Sequence, residues 1–325
     1  MSSAPAGARE TVAACPACLS VDARPFTTTA AMMHASDERF SFVRCGGCGV
    51  VYLSPRVPAA DLGDWYPPSY LPWRGPAAWG RWAPLVASGL RATDRRRVRR
   101  VQRYGSLGPA SRVLDVGCGR PTFLRALVDE TGCRAVGTDV SDEGWKGEHA
   151  LARDLDLRTG ELEEFAFDES FDLVTMWHYL EHDYAPHRTL RTVRALAAPG
   201  ARLVIEVPDH DSWSRRRYGA EWAGYHTPRH TVLWDSASLG SALESAGWQV
   251  EAIEPVGSLD AWTLAWMSRQ ERRGIDWADS MEPHFAGFLA GRALLWPLMR
   301  AWERLRGRRG TGVLTAVARA ATDGR

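Results

Sequence analysis

Val113–Leu124 reads V-L-D-V-G-C-G-R-P-T-F-L, and this stretch decides the fold. An apolar run around Asp115 leads into two glycines, and a second apolar run starts soon after them. The pattern predicts a buried strand that ends at Asp115 or one residue later, a tight turn, and a helix that begins at about Pro121. Gly117 and Gly119 can adopt backbone angles closed to other residues, and they leave bare main chain for a ligand. Since a helix N-terminus points free N–H groups at the turn, we expect it to hold an anionic or nucleotide-like group.

The residues around the glycines distinguish two classes of ligand. A dinucleotide-binding fold has a third glycine three residues after the second, so that helix and pyrophosphate pack closely, and here that residue is Thr122. The carboxylate of Asp115 would repel a pyrophosphate and suits a ligand with a cationic amino-acid end. A turn that needs glycines only for its geometry is the alternative interpretation.

The same stretch resembles motif I of the class I S-adenosylmethionine-dependent methyltransferases, in which Asp-x-Gly-x-Gly closes the first strand. The resemblance implies an α/β fold with a Rossmann-like, doubly wound sheet, and S-adenosylmethionine as cofactor. The usual third glycine of that family is Pro121 here. Proline is tolerated at a first helical position, but its ring and missing N–H could change the contact with the methionine carboxylate.

The chain after residue 108 alternates apolar strands with helical segments, as doubly wound parallel sheets do. Asp139 ends the second strand, 24 residues after Asp115, where an acidic residue can accept both ribose hydroxyls of a nucleoside. A solvated aspartate at the strand end is the alternative. In the family pattern, the residue at Glu161 faces the adenine amino group and that at Leu162 stacks on the ring. The residues predicted to bind the cofactor are Asp115, Gly117, Gly119, Asp139, Val140, Glu161, Leu162 and Trp177.

A continuous apolar strand, Phe171–Met176, is followed by the sequence W-H-Y-L-E-H at 177–182. Open α/β sheets bind ligands at the carboxyl ends of their strands. The segment resembles the His-x-Leu-Glu-His pattern after strand four of many small-molecule methyltransferases. His182, with Glu181 beside it, is the first candidate for a catalytic general base, and His178 is the second. A His182 that only braces the loop is the alternative.

The segment Pro208–Thr231 is predicted to be a long loop, and long loops in compact domains are usually functional or mobile. Tyr225, His226 and His230 are predicted to line the substrate pocket. Structural histidines and a metal-binding pair are the alternatives, although Pro228 argues against a helical pair of metal ligands.

Two Cys-x-x-Cys pairs occur within the first fifty residues, and they consist of Cys15, Cys18, Cys45 and Cys48. Such paired knuckles let four thiolates converge on one structural Zn²⁺, and a redox pair is the weaker alternative. Short ribbon strands are predicted at Phe40–Val43 and Val50–Leu53. The cysteine pairs resemble a zinc-binding N-terminal module attached to many bacterial methyltransferases, which act on sugar nucleotides, polysaccharide precursors or secondary metabolites.

The chain is predicted to contain two domains. A zinc ribbon with a proline- and aromatic-rich linker occupies 1–74, and a methyltransferase domain occupies 75–325. The larger domain comprises a core at about 108–257, a helical insertion at 258–309 and a final strand at 312–319.

Charge and composition restrict the partners. Forty basic and 39 acidic residues leave a net charge of +1, so no nucleic-acid partner is expected. Six cysteines and the lack of an apolar N-terminal run predict a cytoplasmic protein.

A helix predicted over Trp79–Tyr104 has an arginine-rich face, which is either solvated or in contact with an anionic substrate tail. The apolar stretch Phe285–Trp302 is interrupted by Arg292 and Pro297, so we expect core or homodimer packing, with weak interfacial membrane contact as the alternative.

These features together predict methyl transfer from S-adenosylmethionine to a small-molecule acceptor, a sugar nucleotide or a secondary-metabolite scaffold, with a histidine as general base. Two alternatives are kept. Zinc ribbons and arginine-rich helices also occur in RNA methyltransferases. A scaffold without catalytic activity would result if Pro121 had abolished cofactor binding.

Overall fold

The structure is a computed structural model that describes residues 7–33, 36–66, 70, 73, 75–274, 282–305 and 312–321. Within these residues, a four-stranded sheet at the N-terminus lies against a seven-stranded sheet that has helices on both faces. The predicted α/β, doubly wound architecture is therefore confirmed. The predicted domain boundary at residue 74 lies outside the described residues.

The smaller sheet consists of β1 (Ala23–Ala30), β2 (Arg39–Cys45), β3 (Val51–Leu53) and β9 (Val232–Leu233), all paired antiparallel in this order. The two predicted ribbon strands are present as β2 and β3. Sequence analysis missed β1, because its threonine-rich sequence lacks an apolar alternation. It also missed β9, which comes from the far side of the methyltransferase core in sequence and completes the N-terminal sheet.

The larger sheet contains seven strands: β4 (Arg112–Val116), β5 (Arg134–Asp139), β6 (Asp156–Thr159), β7 (Phe171–Trp177), β8 (Ala197–Pro208), β10 (Trp248–Glu254) and β11 (Val313–Ala320). Their order is β10-β11-β8-β7-β4-β5-β6, and β11 alone runs antiparallel to its neighbours. The chain proceeds from β4 towards β6 on one side and from β7 towards β8 on the other. The crevice between the carboxyl ends of β4 and β7 is therefore the topological switch point, where open α/β sheets bind ligands.

Eight helices are described: α1 (Ala83–Gln102), α2 (Thr122–Thr131), α3 (His149–Ala152), α4 (Pro186–Leu196), α5 (Trp213–Tyr218), α6 (Ser236–Ser245), α7 (Ala261–Arg272) and α8 (Glu282–Leu305). One face of the larger sheet packs against α1 and α2, where Val101 and Leu124 are buried. The opposite face packs against α4 and α6, where Leu190 and Leu243 are buried. Apolar burial on both faces holds these strands in place, which fixes the positions of the loops at their carboxyl ends.

The turn between β4 and α2 has the geometry that its glycines predict. Gly117 and Gly119 have φ angles of 70° and 49°, in the left-handed region that disfavours other residues. The N–H groups of Gly117 and Cys118 donate to the carbonyl of Thr138 at 2.8 and 3.0 Å, which ties the turn to the end of β5. The helix begins at Thr122, with Pro121 as the residue before its first turn.

Some predicted element boundaries are wrong. The helix expected over 79–104 is divided, because Gly80 has a φ of 50° within a 3₁₀ segment at Pro76–Trp82 and regular α1 follows only from Ala83. The predicted loop 208–231 contains α5 and 3₁₀ turns at Gly219–Glu221 and Ala223–Tyr225. Its buried polar residues need local backbone structure to satisfy their hydrogen bonds.

In the part of the chain that is described, no helix has both the length and the apolar character needed to cross a membrane. The apolar stretch predicted at 285–302 lies in α8, where Leu294 and Leu298 are 72% and 65% exposed. Homodimer packing or weak membrane contact of this stretch stays a prediction.

Candidate functional site

The floor of the candidate cofactor site is formed by two aspartates beside the glycine turn. Asp115 is buried and accepts a hydrogen bond from the Thr175 hydroxyl at 2.6 Å. Burial raises the pKa of Asp115 to about 7, although this hydrogen bond opposes the shift. Asp139 accepts hydrogen bonds from the N–H groups of Gly119 at 2.9 Å and Ser141 at 3.1 Å. Burial raises the pKa of Asp139, and its backbone hydrogen bonds oppose that shift.

Gly117 and Gly119 differ in whether another side chain packs against them. The ring of Tyr179 lies directly against Gly117, because a Cβ there would come within 2.2 Å of the ring Cδ2. Apart from Gly119 itself and its two neighbours in the chain, no described atom lies within 4 Å of the corresponding position on Gly119. A ligand can therefore reach the backbone at Gly119 and the neighbouring carboxylate of Asp139. The residues around this turn fit a nucleoside-bearing cofactor, and Pro121 follows two residues after Gly119 as the N-cap of the helix.

The other residues predicted to bind the cofactor follow the carboxyl ends of neighbouring strands. Val140 follows β5 and is 63% exposed, while Glu161 and the buried Leu162 follow β6. Trp177 ends β7, where its ring packs edge-to-face against Phe123 at 5.1 Å. Because β4, β5, β6 and β7 run in the same direction, all of these residues lie at one edge of the sheet. Their role in cofactor binding stays a prediction.

His178, the first residue after β7, is held between two buried carboxylates. Its Nδ1 lies 3.2 Å from Glu181 Oε1, and its Nε2 lies 2.9 Å from Glu206 Oε1. The Oγ of Ser258 lies 3.1 Å from the same Nε2 and also contacts Glu206. The backbone of His178 has a φ of 57°, a conformation that costs energy outside glycine and recurs at functional sites.

The carboxylates determine the charge of His178. Burial would lower the pKa of this histidine, but the hydrogen bonds with Glu181 and Glu206 raise it to about 9. Burial would raise the pKa of Glu206, yet His178 and the nearby Arg97 lower it to about 2. His178 is therefore an imidazolium at neutral pH and has no lone pair with which to accept a proton. Sequence analysis missed Glu206, although an acidic residue inside the apolar strand L-V-I-E-V was a signal for it.

His182 is neutral, in contrast to the positively charged His178. Its Nδ1 lies 3.1 Å from the carbonyl oxygen of Arg229 and 3.0 Å from the hydroxyl of Tyr66. A carbonyl oxygen only accepts hydrogen bonds, so Nδ1 carries the proton and Nε2 keeps its lone pair. Burial lowers the pKa of His182, although the charge of Glu181 opposes the shift. A neutral imidazole with a free Nε2 is the form that a general base requires.

His226 and His230 belong to a chain of hydrogen bonds that starts at the buried Arg229. Arg229 Nη1 donates to His226 Nε2 at 3.2 Å, His226 Nδ1 lies 3.3 Å from His230 Nε2, and His230 Nδ1 lies 2.9 Å from the carbonyl of Gly224. Burial lowers the pKa of His226 well below its ordinary value and that of His230 to about 3. Both histidines are neutral and lie beside His182, with ring centroids 6.3 and 4.6 Å from its own.

Tyr225 does not join this group of histidines. It is 1% exposed and packs against Phe42 and Trp222 at centroid distances of 5.1 and 5.2 Å, within the apolar core of the N-terminal sheet. Tyr66 and Tyr70 are the aromatic residues that approach the histidines instead. The predicted contact of Tyr225 with substrate stays a prediction.

Two groups of side chains in the described residues could hold a metal ion. The first consists of Cys15, Cys18, Cys45 and Cys48, whose sulfur atoms all lie within 4.8 Å of one another. The second is formed by Glu181, His182 and His230, with one ligand atom from each inside the same distance. Glu181 Oε2 is buried and has no hydrogen-bond partner among the described residues.

Comparisons with known proteins agree with this geometry. A family model described as a methyltransferase domain matches residues 90–253. The ubiquinone biosynthesis O-methyltransferase of Bordetella bronchiseptica is 31% identical over 161 residues, which cover 47% of this chain and 66% of that protein. The protein of the same name from Hahella chejuensis is 32% identical over 134 residues, which cover 39% and 56%. The chain thus spans less than two thirds of the length of these relatives.

One solved structure shows the shared fold. It is described as a sarcosine dimethylglycine methyltransferase from Galdieria sulphuraria, with 15% identity and a TM-score of 0.50, and the match covers 74% of this chain and 88% of that one. At this identity the likeness concerns the fold alone.

Replacing His178 with Asn tests the charged cluster, since Asn tolerates a positive φ. The folded pKa of His178 is about 9 against an ordinary 6.5, so its stabilisation is complete below pH 6.5 and is lost as the pH rises through 9. We expect wild-type protein to lose up to about 3 kcal/mol of unfolding free energy across that window. His178→Asn should lack this loss in urea denaturation between pH 6 and 10, whereas the exposed control His149→Asn should keep it. Parallel curves for His178→Asn and wild type would contradict the assignment.

Proposed function

The chain belongs to the methyltransferase-domain family, and on that premise we propose that it transfers a methyl group from S-adenosylmethionine to a hydroxyl group of a small-molecule acceptor. A sugar nucleotide or a secondary-metabolite scaffold is the proposed acceptor class. The observation that carries the proposal is the open glycine turn, with the carboxyl groups of Asp115 and Asp139 beside it and a neutral His182 in the loop after β7. The name O-methyltransferase of two curated relatives supports oxygen as the receiving atom.

The cofactor would be held by the backbone at Gly119, by Asp139 at its ribose, and by Leu162 at its base. Asp115 is buried near the end of β4, two residues before Gly117, and a carboxylate there favours the cationic end of the methionine group. When bound, S-adenosylmethionine supplies a methyl group that is already activated by the charge of the sulfonium. The residues of this chain therefore have to align the acceptor, exclude water and receive a proton.

His182 is proposed as the group that receives the acceptor's proton. Its Nδ1–H is fixed on the Arg229 carbonyl, so Nε2 is the basic atom. The charge of Glu181 stabilises the imidazolium that forms when the proton arrives. His178 keeps its proton throughout and acts as a positioning residue, because it holds Glu181 through a hydrogen bond of 3.2 Å.

The four cysteines are proposed to bind one structural Zn²⁺. Their sulfur atoms converge as a tetrahedral site requires, with Cys15–Cys48 and Cys18–Cys45 separations of 3.7 and 3.5 Å. Two of these residues lie in the same apolar cluster as Leu180, next to the proposed base. Metal binding would thus stabilise the wall of the site as well as the N-terminal sheet.

Cofactor binding is tested by Asp139→Asn, with the exposed Asp129→Asn as a matched control. Loss of the carboxylate that accepts the ribose hydroxyls should weaken S-adenosylmethionine binding by about tenfold to a hundredfold in equilibrium titration calorimetry. The control should bind like wild type. No measurable affinity of the folded wild-type protein would favour a scaffold without catalytic activity. RNA binding that weakens steeply with salt would favour the RNA alternative.

The base is tested by His182→Ala, which should lower kcat by about 10²–10⁴ while cofactor affinity stays unchanged. The exposed His149→Ala serves as the control. Because burial lowers the pKa of His182, wild-type kcat at saturating cofactor should stay constant as the pH falls to 6.5 and decline only below it. A decline of kcat already above pH 7, or full activity of His182→Ala, would move the proton acceptor elsewhere.

Zinc binding is tested by metal analysis of Cys45→Ser, with Cys133→Ala as a control outside the cluster. We expect one zinc per chain in wild type and control and none in Cys45→Ser. The thermal midpoint should fall by about 5 °C or more, since about 1 kcal/mol corresponds to about 2–4 °C in a domain of this size. A second equivalent that survives Cys45→Ser would place a metal on Glu181, His182 and His230, which contradicts the role of His182 as base.

A further inference from the structure

A cavity of about 290 Å³ opens beside the C-terminal half of α1, and one of its lining residues, Arg97, lies over the ring of Trp177 at 4.6 Å. Its lining consists mainly of arginines, and the complete set is Thr93, Arg96, Arg97, Arg99, Arg100, Arg103, Glu206, Gly257 and Ser258. The volume lies at the lower end of the range for ligand pockets, so it suits one chemical group of a ligand better than a whole ligand.

The charge of the cavity is strongly unbalanced. Five guanidinium groups face it against one carboxylate in the lining. Arg97 pairs with Glu206 at 3.3 Å, and Arg100 pairs with Glu254 at 3.1 Å. Arg96, Arg99 and Arg103 remain exposed around the opening. Like charges this close repel one another, and a multivalent anion between them would remove that repulsion.

The cavity adjoins the candidate site. Glu206 and Ser258 line it, and both contact Nε2 of His178, at 2.9 and 3.1 Å. His178 directly follows β7 and holds Glu181 beside the proposed base. An anion in the cavity would therefore lie one side chain away from the loop that carries His182.

We infer that this cavity binds a phosphate or diphosphate group of the methyl acceptor. The inference rests on the proposed function for the identity of the ligand as an acceptor. Guanidinium groups form paired hydrogen bonds with phosphate oxygens, and several converge here on a concave space. The small volume and the net charge of +1 for the whole chain favour a small anionic group over a nucleic acid, which needs an extended basic surface.

Two double variants with the same change in net charge distinguish specific binding in the cavity from non-specific attraction to a basic surface. Arg99→Gln/Arg103→Gln removes two charges that line the cavity. Arg91→Gln/Arg95→Gln removes two exposed charges of α1 that do not line the cavity, whereas Arg103 is the residue that caps the end of this helix. Both double variants change the net charge equally, so a difference between them reports on the cavity. The single variants Arg96→Gln and Arg99→Gln repeat the test if the first double variant does not fold.

Pyrophosphate is the first probe, measured by titration calorimetry at fixed ionic strength. We expect saturable binding with one site per chain. The cavity double variant should lose affinity by about tenfold for each guanidinium removed, and the control double variant should lose less than about threefold. Equal losses in both double variants, or no binding to wild type, would overturn the inference.

A second panel connects the anion to an acceptor. A sugar phosphate and a nucleoside diphosphate sugar are titrated into the same variants, and at least one of them should bind wild type and lose affinity in the cavity double variant alone. If pyrophosphate binds but the sugar phosphate and the nucleoside diphosphate sugar do not, the cavity is a site for free phosphate, and the assignment to the acceptor is overturned. S-adenosylmethionine is titrated in parallel, because failure of cofactor binding overturns the proposed function while the pyrophosphate result still stands on its own.

Discussion

The imidazolium of His178, hydrogen-bonded on both nitrogens to buried carboxylates, is the interaction on which the rest of the site depends. Glu206 comes from the carboxyl-terminal part of β8, and Glu181 comes from the loop after β7. A buried carboxylate without a counter-charge would be strongly destabilising, so the histidine is needed to keep either one ionised. The two hydrogen bonds of His178 thereby hold the loop after β7 against β8.

The same loop connects the two sheets. The carbonyl oxygen of Glu181 accepts hydrogen bonds from the N–H groups of Thr231 and Val232 at 2.8 and 3.1 Å, at the start of β9, which belongs to the N-terminal sheet. On the other side of β9, Leu233 pairs with Val51 of β3, close to the second cysteine pair. Strand pairing and backbone hydrogen bonds thus connect β3, which follows the second cysteine pair, through β9 to the loop of His182.

Local sequence was sufficient to predict the glycine turn, because the angles of Gly117 and Gly119 and the position of Asp139 follow from short-range pattern and spacing. The partners of the site could not be predicted in this way. Glu206 is an acidic residue inside an apolar strand, but its partner can be identified only once β7 and β8 pair and bring His178 beside it. Arg229 is buried only because its guanidinium donates to the carbonyls of Trp65 and Met32, which lie 164 and 197 residues away in sequence. Such long-range pairs leave no periodic signal in a single sequence.

The contrast between His178 and His182 explains how one loop can carry both a fixed charge and a base. They lie four positions apart in the sequence, yet the pKa of His178 is raised and that of His182 is lowered. Burial acts on both in the same direction, so the difference comes from their partners: two carboxylates for His178, and a carbonyl and a phenol for His182. The positive charge of His178 also lowers the pKa of His182 and so opposes the charge of Glu181, which raises it. In the proposed reaction, the charge of His178 thus helps to keep His182 neutral and able to accept a proton. Different surroundings give the two histidines different pKa values, which suits them to different roles.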